Sequence, residues 1–227
     1  MAAPLATLKA IKSTVRKRIS STLHSLTQDE IKQQTEQVTA NLLRQPFFHQ
    51  SRTVACYLSM PGGEVDTAPL VDAVLQSGKT LFVPRMDPLL KGRMDFLRVY
   101  GQDDLATFPA GLWGIREPGE CYQGGRRQSD SDNLDLILVP AVAFDHSFGR
   151  LGHGKGYYDR FLTQYKATTR NMPLLGKFSF RHGPRIGLAL QEQILEGEDV
   201  PTNELDWRMD VIVGPNGIIH RPVAERR

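Results

Sequence analysis

The 227-residue chain is short of several things, and each shortage removes a class of protein. Its two cysteines, Cys56 in an apolar run and Cys121 in a polar stretch, supply no disulfide framework and fit a reducing compartment. No apolar run approaches the roughly 20 residues that cross a bilayer, so no membrane partner is expected. Charge excess is also small: 28 basic against 25 acidic residues leave +3, too little to imply nucleic acid. Acids are missing before Asp29 and aromatics before Phe47. A basic N-terminus without interleaved aromatic side chains lacks the stacking platforms of a module for single-stranded nucleic acid. No Ser/His/Asp or Cys/His constellation stands out, so a covalent enzyme nucleophile is not indicated.

What remains is ordinary globular composition, 40% apolar and 23% charged, in a chain long enough for one substantial core. The first 28 residues hold Lys9, Lys12, Arg16, Lys17 and Arg18 among many Ser and Thr. They read either as an amphipathic helix, with Leu8, Ile11, Val15, Ile19 and Leu23 on one face, or as a mitochondrial transit segment. The cytoplasm is the expected compartment on the first reading and the mitochondrion on the second. Thr27 and Glu30 have capping-box spacing, which opens a second helix carrying Ile31, Val38 and Leu42 inward and ending at Pro46.

Residues 53–59 are short, apolar and β-rich, as a buried strand is, and stop at Met60-Pro-Gly-Gly63. Thr67 is placed to cap a helix whose inner face is Leu70, Val71, Val74 and Leu75, with Gly78 as its stop. Strands are predicted at 80–84, 94–100, 134–139, 185–190 and 209–213. The segment 134–139 is the most apolar and suits a central parallel position. Pro215-Asn-Gly217 before Ile218 signals a hairpin, so the sheet should be mixed. Residues 117–133 and 166–183 read as irregular, the latter as an insertion. Together these features predict an α/β fold: one three-layer domain over 1–227, with a mostly parallel, mixed central sheet flanked by helices.

Gly152, Gly154 and Gly156 alternate with His153 and Lys155, after an apolar region reaching Phe144 and before a helical stretch at 157–165. Glycines there let backbone N–H groups converge on an anion, and the following helix adds its positive end. Arg150 and Lys155 supply formal charge suited to phosphate. Gly149 to Lys155 has P-loop spacing, but Gly156 stands where a hydroxyl should meet magnesium, and the dinucleotide fingerprint fails as well. Asp159 either complements the helix dipole or serves as a magnesium ligand.

The segment Arg150-Leu151-Gly152-His153-Gly154-Lys155-Gly156-Tyr157-Tyr158-Asp159 resembles the signature of the 5-formyltetrahydrofolate cyclo-ligase family. Further pieces match in order: Lys12 with Arg16, Leu58-Ser-Met60 before Glu64-Val-Asp66-Thr67, Trp113 in Leu112-Trp-Gly-Ile115, and Val200-Pro201 before Asp206 and Asp210. The resemblance implies ATP-driven conversion of 5-formyltetrahydrofolate to 5,10-methenyltetrahydrofolate with release of ADP and phosphate, through a phosphorylated formyl group. It assigns Lys12, Arg16 and the segment from Arg150 to Tyr158 to ATP. Asp159 and Asp206 fall to Mg²⁺, and Leu58, Met60, Glu64 and Trp113 to the folate pocket. Glu64 would accept hydrogen bonds from the pterin or its reactive amine, and Tyr157 would lie beside the reacting groups, with Lys155 and Arg150 acting on the phosphate. His153 stands where the family commonly carries Arg; neutral near pH 7, it brings a hydrogen-bond donor in place of a permanent charge.

Two other readings stay open at this point: an unrelated α/β ATP-dependent kinase or transferase with the same loop, and a non-catalytic nucleotide- or RNA-binding module. The cyclo-ligase reading expects a monomer acting on small molecules, a reduced folate and ATP. If Lys155 touches the transferred phosphate, Lys155→Ala should cost a few kcal/mol of transition-state stabilisation while leaving folding intact. Steady-state turnover beside a thermal melt checks this, and unchanged turnover refutes the assignment.

Overall fold

The computed structural model describes residues 5–60, 62–87, 92–111, 114–129, 134–165 and 184–221. Trp113 and the 166–183 segment lie outside the described residues, as do 130–133 of the stretch read as irregular.

Helix α1 (Leu5–His24) buries Ile19 and Leu23 and half-buries Leu8 and Val15. Ile11 was expected on that face but is 43% exposed, because α1 reaches past the core at this end to border the cavity described below. The capping box at α2 (Gln28–Leu43) forms in both directions: Glu30 N–H donates to Thr27 Oγ1 at 3.2 Å, and Thr27 N–H to Glu30 Oε2 at 2.8 Å. Ile31, Val38 and Leu42 point inward as expected. Pro46 does not end this helix. Arg44 caps it, and Pro46 takes the first position of a separate short helix, α3 (Pro46–Gln50), where a missing N–H costs nothing.

The main sheet has seven strands: β1 (Thr53–Ala55), β2 (Thr80–Met86), β3 (Met94–Val99), β6 (Leu136–Val139), β9 (Arg185–Leu188), β11 (Val211–Gly214) and β12 (Gly217–His220). Their order is β12-β11-β9-β6-β1-β2-β3. The five inner strands run parallel, and an antiparallel partner closes each edge. Leu136, Ile137, Leu138 and Val139 are fully buried in the middle of the sheet, as their unbroken apolar run predicts. The predicted hairpin at 215–217 joins β11 to β12. Helix α4 (Ala68–Gln76) buries Leu70, Val71 and Val74 and packs on β2, while α6 (Tyr157–Gln164) packs on β3 through Phe161 against Phe96, with ring centroids 4.8 Å apart.

Thr67 precedes α4 without capping it. Its hydroxyl donates to Tyr57 O at 2.8 Å and accepts from Ser59 N–H at 3.0 Å, tying the segment after β1 to the start of the helix. The stretch 117–133, expected to be irregular, contains a small hairpin of β4 (Cys121–Tyr122) and β5 (Gly125–Arg126). Next to it Arg127 is buried against Asp104, which belongs to α5 (Gln102–Ala106); the contact is bidentate at 2.6 and 2.9 Å. Such a pair is invisible to local pattern reading because its members are 23 residues apart.

A second small sheet joins β7 (Ala143–Asp145) to β8 (Arg150–Leu151) and β10 (Ile194–Leu195). The apolar region that reaches Phe144 therefore divides between two sheets, the predicted strand at 134–139 being confined to β6. They touch where Phe144 lies against Gly187 of β9: a Cβ added there would meet the Phe144 ring at 2.4 Å. No larger residue fits without moving the ring and the strand that presents Arg150. Gly187→Ala is expected to destabilise the fold by about 1–3 kcal/mol. A lower urea midpoint at unchanged slope would show it; an unchanged midpoint would mean the two sheets are not in this contact.

Candidate active site

Parallel strands β1 and β6 are neighbours whose onward connections run to opposite sides of the sheet, β1 to β2 and β6 to β9. Ligands of open α/β sheets bind at the carboxyl ends of such a pair. There the chain encloses a cavity of about 860 Å³. Tyr57, Leu58 and Met60, which follow β1, form one wall with Pro84 and Met86 of β2 and Pro140 beyond β6. Residues 150–159 form a second wall, and α1 contributes Leu8, Lys9, Lys12 and Arg16. Every described residue that the sequence singled out for ATP, folate or magnesium lies on this one surface.

The glycines matter to that assembly. Gly154 and Gly156 have φ of +92° and +68°, left-handed values that side chains adopt with strain, and Gly156 leads directly into α6. Arg16 Nε of α1 donates to Gly152 O at 2.8 Å, and a Cβ on Gly154 would stand 3.4 Å from the Arg16 guanidinium. At Gly152 and Gly156 an added Cβ would meet the Arg150 and Arg160 guanidinium groups at 2.9 Å.

Three basic side chains are held by fixed partners. Arg150, almost fully buried, donates to Asp159 Oδ1 at 2.6 Å and to Pro140 O at 3.2 Å, while its Nε is buried with no partner among the described residues. Asp159 Oδ1 also accepts from Trp207 N–H at 3.2 Å, which brings Asp206 alongside. Lys12 Nζ donates to Asp206 Oδ2 at 2.5 Å, and Asn203 N–H to the same oxygen at 2.7 Å. Arg16 is the third; burial lowers its pKa, and the Asp206 charge opposes that shift. Among the described residues no carboxylate pairs with Lys155 Nζ, which leaves this cation available to a ligand. His153 keeps an open edge, yet the protein around its ring, then the charges of Arg150 and Arg16, hold its pKa below the ordinary histidine value. Both causes favour the neutral imidazole.

The lining of the cavity also includes a carboxylate and two phenols. Glu64 is 5% exposed, and burial pushes its carboxyl up to about 7, against the Met60 N–H that donates to Oε1 at 2.6 Å. Tyr158 sits beneath Arg150, its ring centroid 6.0 Å from the guanidinium carbon. Leu58 and Met60 are half-buried and line the cavity rather than filling the core.

The sequence reading missed Tyr57, Met94, Ile115 and Asn203, which also line the cavity. Tyr57 was taken into a strand of 53–59, but β1 ends at Ala55 and the chain beyond it turns to the site. Asp210, which matched the family pattern, lies elsewhere, paired with Arg185 at 2.7 Å. No group of three or more His, Cys, Asp or Glu among the described residues forms a metal cage, and no described helix is long and apolar enough to cross a membrane.

A mostly parallel α/β sheet with a cavity at its switch point, lined by a cationic glycine loop and a buried carboxylate, is the frame of an α/β enzyme. Comparison with known proteins narrows this. The chain belongs to the 5-formyltetrahydrofolate cyclo-ligase family, whose model matches residues 8–215. The 5-formyltetrahydrofolate cyclo-ligase of Saccharomyces cerevisiae is 32% identical over 225 residues, covering 93% of this chain and 98% of that one. A Caenorhabditis elegans protein named "probable 5-formyltetrahydrofolate cyclo-ligase" is 34% identical, covering 92% and 95%. The solved structure of the Aquifex aeolicus 5,10-methenyltetrahydrofolate synthetase superposes with a TM-score of 0.73 at 31% identity, covering 96% of each chain.

Glu64 has a measurable signature. Between its ordinary 4.5 and its folded value of about 7, the folded protein binds one proton more than the unfolded chain. Stability from this group is therefore complete below 4.5 and is lost as pH rises through 7, by up to about 1.4 kcal/mol per pH unit. Glu64→Gln lacks the exchange. Its stability relative to the parent should improve steadily from pH 5 to pH 7.5 in urea titrations of the ligand-free protein; a pH-independent difference would mean Glu64 is solvated and ionised throughout.

Proposed function

We propose that this chain closes 5-formyltetrahydrofolate to 5,10-methenyltetrahydrofolate, with ATP hydrolysed to ADP and phosphate. The observation that carries it is the mixed lining of one cavity: basic side chains and a glycine loop, and with them a buried carboxylate and apolar walls. The first suits a triphosphate and the second a flat heterocycle with N–H donors.

A formamide oxygen is a poor leaving group, and phosphorylation changes that. The formyl oxygen attacks the γ-phosphorus, the bond to the β-phosphate oxygen breaks and ADP leaves. The neighbouring folate amine then adds to the activated formyl carbon. The carbon–oxygen bond breaks, phosphate departs and the amine proton is lost, leaving the methenyl bridge. Catalysis of this sequence is positioning and charge neutralisation.

Lys155 and Arg150 hold the transferred phosphate, with Lys12, Arg16 and the backbone from Leu151 through Gly156 around the rest of the nucleotide. Lys12 sits on α1, the basic helix at the N-terminus, so this helix completes the ATP site and must exchange its Asp206 contact for phosphate. His153 donates a hydrogen bond without adding charge. Tyr157 and Tyr158 flank the reacting groups, and Leu58 and Met60 cover the folate face. Glu64 accepts from the pterin or its reactive amine, and the family resemblance assigns Trp113 to the folate pocket as well.

Asp159 and Asp206 fit Mg²⁺ of the kind a nucleotide brings. Mg²⁺ keeps several waters and takes one or two carboxylates plus phosphate oxygens, so the absence of a three-acid cluster among the described residues is compatible with it. When bound it neutralises charge on the phosphates. All these groups come from one chain, which supports action as a monomer.

Absorbance of the methenyl product, followed with purified protein, 5-formyltetrahydrofolate and Mg²⁺, tests the reading. A rise that requires ATP and matches phosphate release one to one is expected. No rise from protein that is folded and binds ATP would remove the folate substrate and leave the phosphate loop standing.

A further inference from the structure

Tyr57 is 3% exposed, lines the cavity, and its hydroxyl is buried with no hydrogen-bond partner among the described residues. Tyr158, on the adjoining wall, leaves its hydroxyl in the same condition. A buried phenol without a partner carries a desolvation cost that a tyrosine confined to packing would escape as phenylalanine. Two such groups bordering one cavity point to a ligand that brings the acceptors.

Their neighbours separate the two roles. Burial raises both phenols well above the ordinary tyrosine value. After burial, Tyr57 feels chiefly Glu64, then Cys56 and Tyr158, and no cation of the phosphate loop contributes. Tyr158 feels Arg150 as well as Glu64. Tyr57 is therefore linked to Glu64 and not to the cations of the glycine loop. Among the described residues, the Glu64 carboxylate receives a hydrogen bond only from Met60 N–H, and that on Oε1. One cavity is thus lined by a residue with a hydroxyl able to donate and by a residue with a carboxylate oxygen able to accept.

A lactam edge, a ring carbonyl next to a ring N–H, presents the complementary acceptor and donor in adjacent positions. The pterin of a reduced folate has such an edge. We infer that Tyr57 is a specificity residue of this enzyme, donating from its hydroxyl to the pterin ring carbonyl while Glu64 accepts from the adjacent ring N–H. The inference rests on the folate reading above and adds to it a residue and a contact. Tyr57 reads the part of the folate that is the same with and without the formyl group, so it fixes the ring and leaves the formyl oxygen free to meet the γ-phosphate.

Tyr57→Phe removes the donor and keeps the ring. Dissociation constants for 5-formyltetrahydrofolate and for tetrahydrofolate, measured by calorimetry without ATP, should both rise by roughly five- to fifty-fold. ATP affinity should stay unchanged, and the melting temperature of the ligand-free variant should equal or exceed that of the parent, because a costly buried hydroxyl is gone. Unchanged folate affinity in the variant, with the parent binding normally, overturns the Tyr57 contact alone. A loss confined to 5-formyltetrahydrofolate places the hydroxyl on the formyl oxygen and overturns the lactam assignment. Joint loss of ATP affinity and melting temperature makes Tyr57 structural. A parent protein that binds neither folate overturns the folate reading and this contact with it.

Discussion

The buried ion pair of Arg150 with Asp159 is the contact on which the rest of the site depends. Arg150 lies in β8 and Asp159 in α6, so the pair closes the glycine loop between them, and Trp207 N–H on the same carboxylate oxygen adds the segment carrying Asp206. Burying a guanidinium is costly, and removing one partner of a buried pair leaves that cost uncompensated. A loop tied this way has little freedom to close differently. Its anion-binding shape is present before any ligand arrives, which lowers the ordering cost of binding.

The second closure comes from far away in sequence. Lys12 and Arg16 lie one helical turn apart on α1 and reach Asp206 and Gly152 across the cavity. Both contacts use groups that a nucleotide would also engage. In the ligand-free protein Asp206 and Asp159 thus pair with Lys12 and Arg150, while Lys155 has no carboxylate partner among the described residues. Under the proposed function a triphosphate with its cation would exchange these partners for others of the same sign and keep the charges paired.

One cavity is lined by cations and by neutral and acidic groups. Lys155, Arg150, Lys12 and Arg16 border it together with Glu64, Tyr57, Tyr158, Leu58 and Met60. A lining this mixed suits two unlike substrates without a covalent link to either. It also accounts for the raised Glu64 pKa: the carboxyl is buried, no described cation pairs with it, and a single N–H favours its ionised form.

Much of the fold was legible in the sequence because its signals are local. An unbroken apolar run marked the central strand at 136–139, the Thr27 with Glu30 spacing marked a capped helix, and Pro-Asn-Gly marked the edge hairpin. The glycine loop was legible for the same reason, since glycine spacing, flanking charge and the following helix all fall within ten residues. Only the tertiary structure decided what local pattern cannot express. It placed Pro46 at the start of a helix instead of the end of one, gave Thr67 to the segment that follows β1 instead of its own helix, and divided one apolar region between two sheets. It also turned Tyr57 from an apparent strand residue into part of the cavity wall. A strand's period says which side chains share a face but not where the strand stops, and that boundary depends on partners tens of residues away. Residue types and spacing thus determined the chemistry available to this chain, while the arrangement of distant segments decided which groups share one cavity and which remain without a partner until a ligand supplies it.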